Sequence, residues 1–324
     1  MALVQWAEER DSMALQGVHL LLTYRCDREC DHCFVWGGPS AQGTMTVEFI
    51  RRLLADARRL GTVQRIYFEG GEPFLYYPLL LAGMRLAYAE GFECGIVTNG
   101  YWAVGVEEAI AALRPLIDLG LVDLSVSTDR FHGEEDESPE WQRIREAASW
   151  LGIPADTISL APPRAPVCEG NLRLRGRAAE RLVAGLPLVP WEELSTCPHE
   201  QLAEPERVHV DAFGHVHLCQ GLLLGNVREQ PFDTLVETYR PEAHPIVGPL
   251  LEGGPAALVR RYDLPHAQGY VEECHLCYRA REMLRERFPE YLGPQQVYGG
   301  SPTIAGGQSE TPSSTVCSRP PSEV

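Results

Sequence analysis

The sequence predicts an α/β fold in which a parallel sheet covered by helices is followed by a small α+β module. Three observations predict it. Four strand-then-helix units follow one another between residues 18 and 152. Each strand ends in glycine or polar residues, at the end where parallel α/β folds gather their chemistry. Seven of the ten cysteines fall into two sets, one between Cys26 and Cys33 and the other between Cys197 and Cys277.

Residues 1–17 are a lead-in without strong periodicity. The apolar run over 18–24 reads as a buried strand that delivers Cys26, Cys30 and Cys33, spaced C-x3-C-x2-C, to the loop at its end. Thr46 opens a helix through Leu60, with Val47, Ile50, Leu53, Leu54 and Ala57 at helical spacing and Gly61 as its stop. Thr46 with Phe49 is only half a capping box. The second unit is a strand over 64–69 ending in Gly70-Gly71-Glu72-Pro73, then a helix over 78–90. The third is a strand over 93–98 ending in Asn99-Gly100, then a helix over 107–116. The fourth is a strand over 121–127 ending in Thr128-Asp129, then a helix over 140–151 closed by Gly152. The pattern then becomes irregular. Strands are expected over 156–161 and 171–175, with the proline-rich A-P-P-R-A-P between them and no room for a helix. Residues 187–192 read as a linker. A hairpin follows over 208–218, turning at Ala212-Phe213-Gly214 and leading into Cys219. Cys274 and Cys277 precede an amphipathic helix, and the tail over 299–324, rich in Gly, Ser, Thr and Pro, has a disordered composition.

Composition narrows the function. The 324 residues suffice for a sizeable core, and no apolar run is long enough to span a bilayer. The start of the chain lacks a signal peptide, so a cytoplasmic protein is expected. Clustered cysteines in a chain this long point to metal in a reducing compartment rather than to disulfides. The net charge of −17 opposes a nucleic-acid partner; the densest basic patch is Arg173, Arg175, Arg177 and Arg181. All 28 basic residues are arginine, which excludes lysine Schiff-base chemistry. Cys94 sits in a strand and reads as core, while Cys168 and Cys317 have no assigned role.

Three closely spaced thiolates can hold three corners of a four-iron cluster and leave one iron open. The stretch R-C-D-R-E-C-D-H-C-F at 25–34 resembles the cluster motif of the radical S-adenosylmethionine (SAM) enzymes, including His32 before the third cysteine. Gly70-Gly71-Glu72 resembles the GGE motif of that family, and Ser127-Thr128-Asp129 resembles its fourth-strand end near the SAM ribose. The resemblance implies a partial TIM-like barrel over 18–186, a [4Fe-4S] cluster on Cys26, Cys30 and Cys33, and SAM held by His32, Gly70, Gly71, Glu72, Ser127 and Asp129. A structural zinc knuckle is the other reading of the C-x2-C pair.

Cys197, Cys219, Cys274 and Cys277, with Gly176-Arg177-Ala178 before them, resemble a C-terminal auxiliary-cluster module over 187–290. Their number matches the shorter twitch form, with one second [4Fe-4S] cluster, rather than the longer SPASM form; a zinc site also fits four cysteines. The resemblance implies radical cleavage of SAM and oxidation or crosslinking of a peptide, with a reductant such as flavodoxin or ferredoxin. Only 25 residues precede Cys26. A peptide-recognition domain would therefore come from a separate protein, and cobalamin chemistry is not expected. Oxidation or rearrangement of a small metabolite stays open, as does a non-enzymatic metal-binding regulator.

Overall fold

The computed structural model describes residues 15–132, 138–161 and 171–300. Most of the lead-in, the proline-rich stretch with Cys168, and the tail with Cys317 lie outside them. The four expected units form in order. They are β1 (Gly17–Thr23), α1 (Val47–Leu60), β2 (Arg65–Gly70), α2 (Tyr77–Ala89), β3 (Glu93–Thr98), α3 (Val106–Ile117), β4 (Leu121–Ser127) and α4 (Pro139–Leu151). A short β5 (Ala155–Ile158) follows. The Thr46 hydroxyl accepts from the Phe49 N–H and caps α1, and Ser138 does the same for α4 through Trp141.

The second half contains α5 (Ala178–Arg181), β6 (Val189–Pro190), β7 (Arg207–Val210), β8 (His215–Cys219), β9 (Leu222–Asn226), α6 (Phe232–Thr238), α7 (Val247–Tyr262), β10 (Gly269–Tyr270) and α8 (Glu273–Leu284). One sheet takes in eight strands in the order β5-β4-β3-β2-β1-β7-β8-β9. β1 to β5 and β7 run parallel, while β8 pairs antiparallel with β7 and β9 antiparallel with β8. The expected hairpin over 208–218 is therefore also the continuation of the barrel sheet, with β7 seated beside β1 and His209 paired with His19. One apolar core joins both halves, from Leu20, Phe68 and Ile96 to Val208, Val216 and Phe232.

Two expectations are corrected. Residues 171–175 form no strand, because the Leu174 N–H donates to the Glu272 carboxylate instead of a ladder. The stretch over 187–192 is not a free linker: β6 pairs antiparallel with β10, and a 3-10 turn starts at Trp191. Cys94 is fully buried in the core.

Asp56 ties the two halves at the outer face. Its Oδ1 accepts from Arg59 Nη2 at 2.7 Å and its Oδ2 from the Phe232 backbone N–H at 3.2 Å. Asp56→Ala leaves the buried Phe232 amide unpaired, at an expected cost of about 1–3 kcal/mol in urea unfolding. An unchanged midpoint would show that the α1–α6 junction does not depend on this carboxylate.

Candidate active site

The first cysteine set lies on the loop that leaves β1. Cys26, Cys30 and Cys33 are half-buried and carry free thiols. Donors are aimed at the sulfurs. The Arg28 N–H lies 3.4 Å from Cys26 Sγ, the Gly37 N–H 3.2 Å from Cys33 Sγ, and Asn99 Nδ2 3.7 Å from Cys26 Sγ. Hydrogen bonds of this kind stabilise thiolates and tune metal–sulfur centres. Burial pushes the Cys26 and Cys30 thiols up to about 12, so a bound cation is needed to ionise them at neutral pH.

The glycines after β2 are required by the chain itself. The Gly71 N–H donates to the Thr23 carbonyl at 2.6 Å and the Glu72 N–H to the Arg25 carbonyl at 2.9 Å. A Cβ on Gly71 would lie 2.2 Å from the Arg25 carbonyl oxygen, and Gly70 has φ +143 with its virtual Cβ 2.4 Å from the Thr23 oxygen. The close approach is thus to the backbone that launches the cysteine loop. Glu72 is fully buried and braces two strand ends. Its Oε1 accepts from the Phe74 N–H and the Thr98 hydroxyl, both at 2.9 Å, and its Oε2 from the Asn99 N–H at 2.8 Å. Burial outweighs these donors and raises the carboxyl to about 7.

At the fourth strand end, Ser127 is half-buried opposite Ile158. Asp129 is 2% exposed, and its oxygens accept from the Phe131 N–H, His132 Nδ1 and the Leu160 N–H. His32 packs tilted against Phe131 and edge-on against His132, at 4.7 and 5.1 Å between ring centroids, and burial lowers it to about 4, leaving a neutral imidazole. The structure thus gathers His32, Asp129 and His132 beside the cysteine loop.

The second set converges as well. Cys197, on the loop after the Trp191 turn, Cys219, at the end of β8, and Cys274 and Cys277, on one face of α8, line a single narrow cavity. Arg175 Nη1 lies 3.0 Å from Cys219 Sγ and 2.7 Å from Glu200 Oε1. Arg281 is 1% exposed, and its Nη1 donates to the Gln220 carbonyl while its Nε has no partner. Burial works against this cation, but Tyr298 and the Cys277, Cys219 and Cys274 sulfurs outweigh it. A buried guanidinium calls for an anion, and four thiolates on a divalent metal core would be one.

Three of the four arginines read from the sequence as a basic patch, Arg175, Arg177 and Arg181, are engaged within the fold. Arg177 donates to the Cys30 carbonyl at 2.5 Å and the Gly37 carbonyl at 2.7 Å, and Arg181 pairs with Asp31 and Glu29. Their roles went unread because they depend on contacts across more than 100 residues; the Gly176-Arg177 pair was the only signal. Arg143, on α4, donates to the Ala103 carbonyl.

Residues 20–151 match the model of the Radical SAM superfamily. This chain carries a radical SAM domain. The domain places the chain among enzymes and implies a [4Fe-4S] cluster and SAM. The chain is 29% identical over 129 residues to YydG of Bacillus subtilis (strain 168), a protein assigned to peptide biosynthesis, a match covering 40% of each. It is 33% identical over 84 residues to the tungsten-containing aldehyde ferredoxin oxidoreductase cofactor-modifying protein of Pyrococcus furiosus, covering 26% of this chain and 23% of that one. These matches therefore span less than half the length of either curated relative. The structure of BtrN in complex with AdoMet and 2-DOIA superposes with a TM-score of 0.50 over 82% of this chain and 92% of its own, at 16% identity, and so shares the fold. Among the described residues no helix is long and apolar enough to cross a membrane.

The Glu72 carboxyl provides a pH signature. It stays protonated in the folded chain up to about pH 7, whereas an unfolded glutamate ionises near 4.5. Its contribution to stability is therefore greatest below about 4.5 and is lost as the pH rises through about 7. Glu72→Gln is expected to remove that slope, on the order of 3 kcal/mol across the window. Parallel pH profiles of wild type and variant in chemical denaturation would refute it.

Proposed function

We propose that the chain is a radical SAM oxidase of a peptide, with one catalytic and one auxiliary [4Fe-4S] cluster. One observation carries this reading. A single cavity of about 630 Å³ is lined side by side by Phe34, next to Cys33, and by Arg175 and Glu200, which reach the second cysteine set; the Arg175 guanidinium lies 5.6 Å from the centre of the Phe34 ring. A substrate there would border the segments that lead to both cysteine sets.

Cys26, Cys30 and Cys33 would hold the catalytic cluster, with Arg177 fixing the Cys30 and Cys33 backbone. When bound, the cluster and SAM supply the hydrogen-abstracting radical chemistry. Glu72 Oε2 accepts a single N–H and keeps a lone pair for the SAM ammonium. Gly70 and Gly71 hold that carboxylate against the cysteine loop, and His32, Ser127 and Asp129 would form the opposite wall. Asp129 is fixed by Phe131, His132 and Leu160, and its Oδ2, which accepts a single N–H, would likewise keep a lone pair for SAM.

Cys197, Cys219, Cys274 and Cys277 would hold the auxiliary cluster. The similarity to YydG supports a peptide as substrate. The cavity volume favours a second reading, a small metabolite, because it falls in the range of small-molecule sites.

Anaerobic reconstitution followed by EDTA treatment tests the metal content. About eight irons per chain are expected, falling to about four in the Cys26→Ala, Cys30→Ala, Cys33→Ala triple variant. Four irons with one zinc would make the second set structural, and no iron would end the reading.

A further inference from the structure

The floor of the cavity holds a group of side chains that the radical reaction does not use. β7, β1 and β2 are adjacent strands, and His209, His19 and Tyr67 are cross-strand partners in register. Glu69, two residues beyond Tyr67, points to the same face. The side chains of His19, Glu69 and His209 converge there, 16%, 11% and 15% exposed, and all three line the cavity. One ligand atom from each lies within 4.8 Å of the others.

The spacing is that of ligands around one ion. His19 Nδ1 lies 3.4 Å from Glu69 Oε2, and His209 Nε2 lies 3.0 Å from Glu69 Oε1. Bonds of about 2.0–2.1 Å at tetrahedral angles put ligand atoms about 3.3 Å apart. The approaches are not aligned as hydrogen bonds, so buried His19 Nδ1 and Glu69 Oε1 are left without a hydrogen-bond partner. A buried polar atom in that state is costly, and a cation between the groups would satisfy both at once. Each carboxylate oxygen faces one imidazole, which suits a bidentate Glu69.

The surroundings hold the rings in place. Tyr67 stacks on His19 at 4.4 Å and 12°, and its hydroxyl donates to Asp123 Oδ2 at 2.6 Å. Gly95, the register partner of Tyr67, leaves room for that ring: a Cβ there would lie 2.3 Å from it. All of these groups project from strands rather than loops, so the site is preorganised.

We infer that His19, Glu69 and His209 form a site for a divalent first-row transition ion, with its remaining coordination positions open to the cavity. Two imidazoles and one carboxylate on one side of an ion are a recurrent set for Fe2+ and Zn2+. The open positions would take water or an oxygen ligand of the substrate, such as a carboxylate, carbonyl or hydroxyl. The site is separate from both cysteine sets and does not depend on the identity of the auxiliary metal.

The test uses the full chain with its clusters reconstituted and oxidised, then stripped of mononuclear ions with EDTA and desalted. Mn2+ is the probe, because thiolates compete for it weakly, and its free ion is read directly by electron paramagnetic resonance. Wild type is expected to bind about one Mn2+ per chain at submillimolar concentration. Glu69→Gln and His209→Ala, each shown to retain wild-type iron, should weaken binding by more than about tenfold. A free-ion signal unchanged by wild type would overturn the site and leave an ion-pair cluster only. Equal Mn2+ binding by wild type and both variants would place the ion elsewhere and overturn it equally.

Discussion

The geometry of the molecule depends on the close approach of residues 175–177 to the first cysteine loop. Gly176 has φ +60, and a Cβ on it would lie 2.5 Å from the Phe34 Cα and 2.6 Å from the Cys33 carbonyl oxygen. Only glycine lets two backbones meet in this way. On either side, the arginines diverge. Arg177 reaches the Cys30 and Gly37 carbonyls, and its N–H donates to the Cys33 carbonyl, while Arg175 reaches Cys219 and Glu200. Three consecutive residues thus set the distance between the two cysteine sets.

Much of this was legible in the sequence wherever the determinant is local. Strand and helix periodicity, the Thr46 cap, and the glycines after α1 and α4 fixed the four β-α units within about two residues. Family spacing marked the cysteines. The glycine pair after β2 was also visible, but its physical reason was not: the crowding at Gly71 comes from the Arg25 carbonyl, 46 positions earlier in the chain. Residues 171–175 show the opposite failure. Their alternation suggests a strand, but Leu174 gives its amide to a glutamate 98 residues away.

The cavity floor was illegible for the same reason. His19 lies in an apolar run, Glu69 ends a strand, and His209 sits in what reads as a hairpin. Nothing in those local patterns says that β7 lies beside β1. Parallel pairing across such a separation is decided by packing of the whole core, not by either segment alone. Glu72 makes a related point about function. A residue marked by a family motif also carries a structural duty, bracing the ends of β2 and β3, so its loss would mix stability with chemistry.

The seating of β7 against β1 also has consequences for biogenesis. Gly17 and Arg207 are register partners, and at about 5–20 residues per second the ribosome makes the second some ten to forty seconds after the first. Until then one edge of β1 is an open template for wrong pairing, and the nascent cysteine loop lacks the segment that clamps it. Cluster loading that waited for chain release would find a finished socket, whereas earlier loading would meet a loop held by β1 and β2 alone. The order of the chain thus completes the pocket around the cysteine loop late, only once the segments from Gly176 to Val210 have been made.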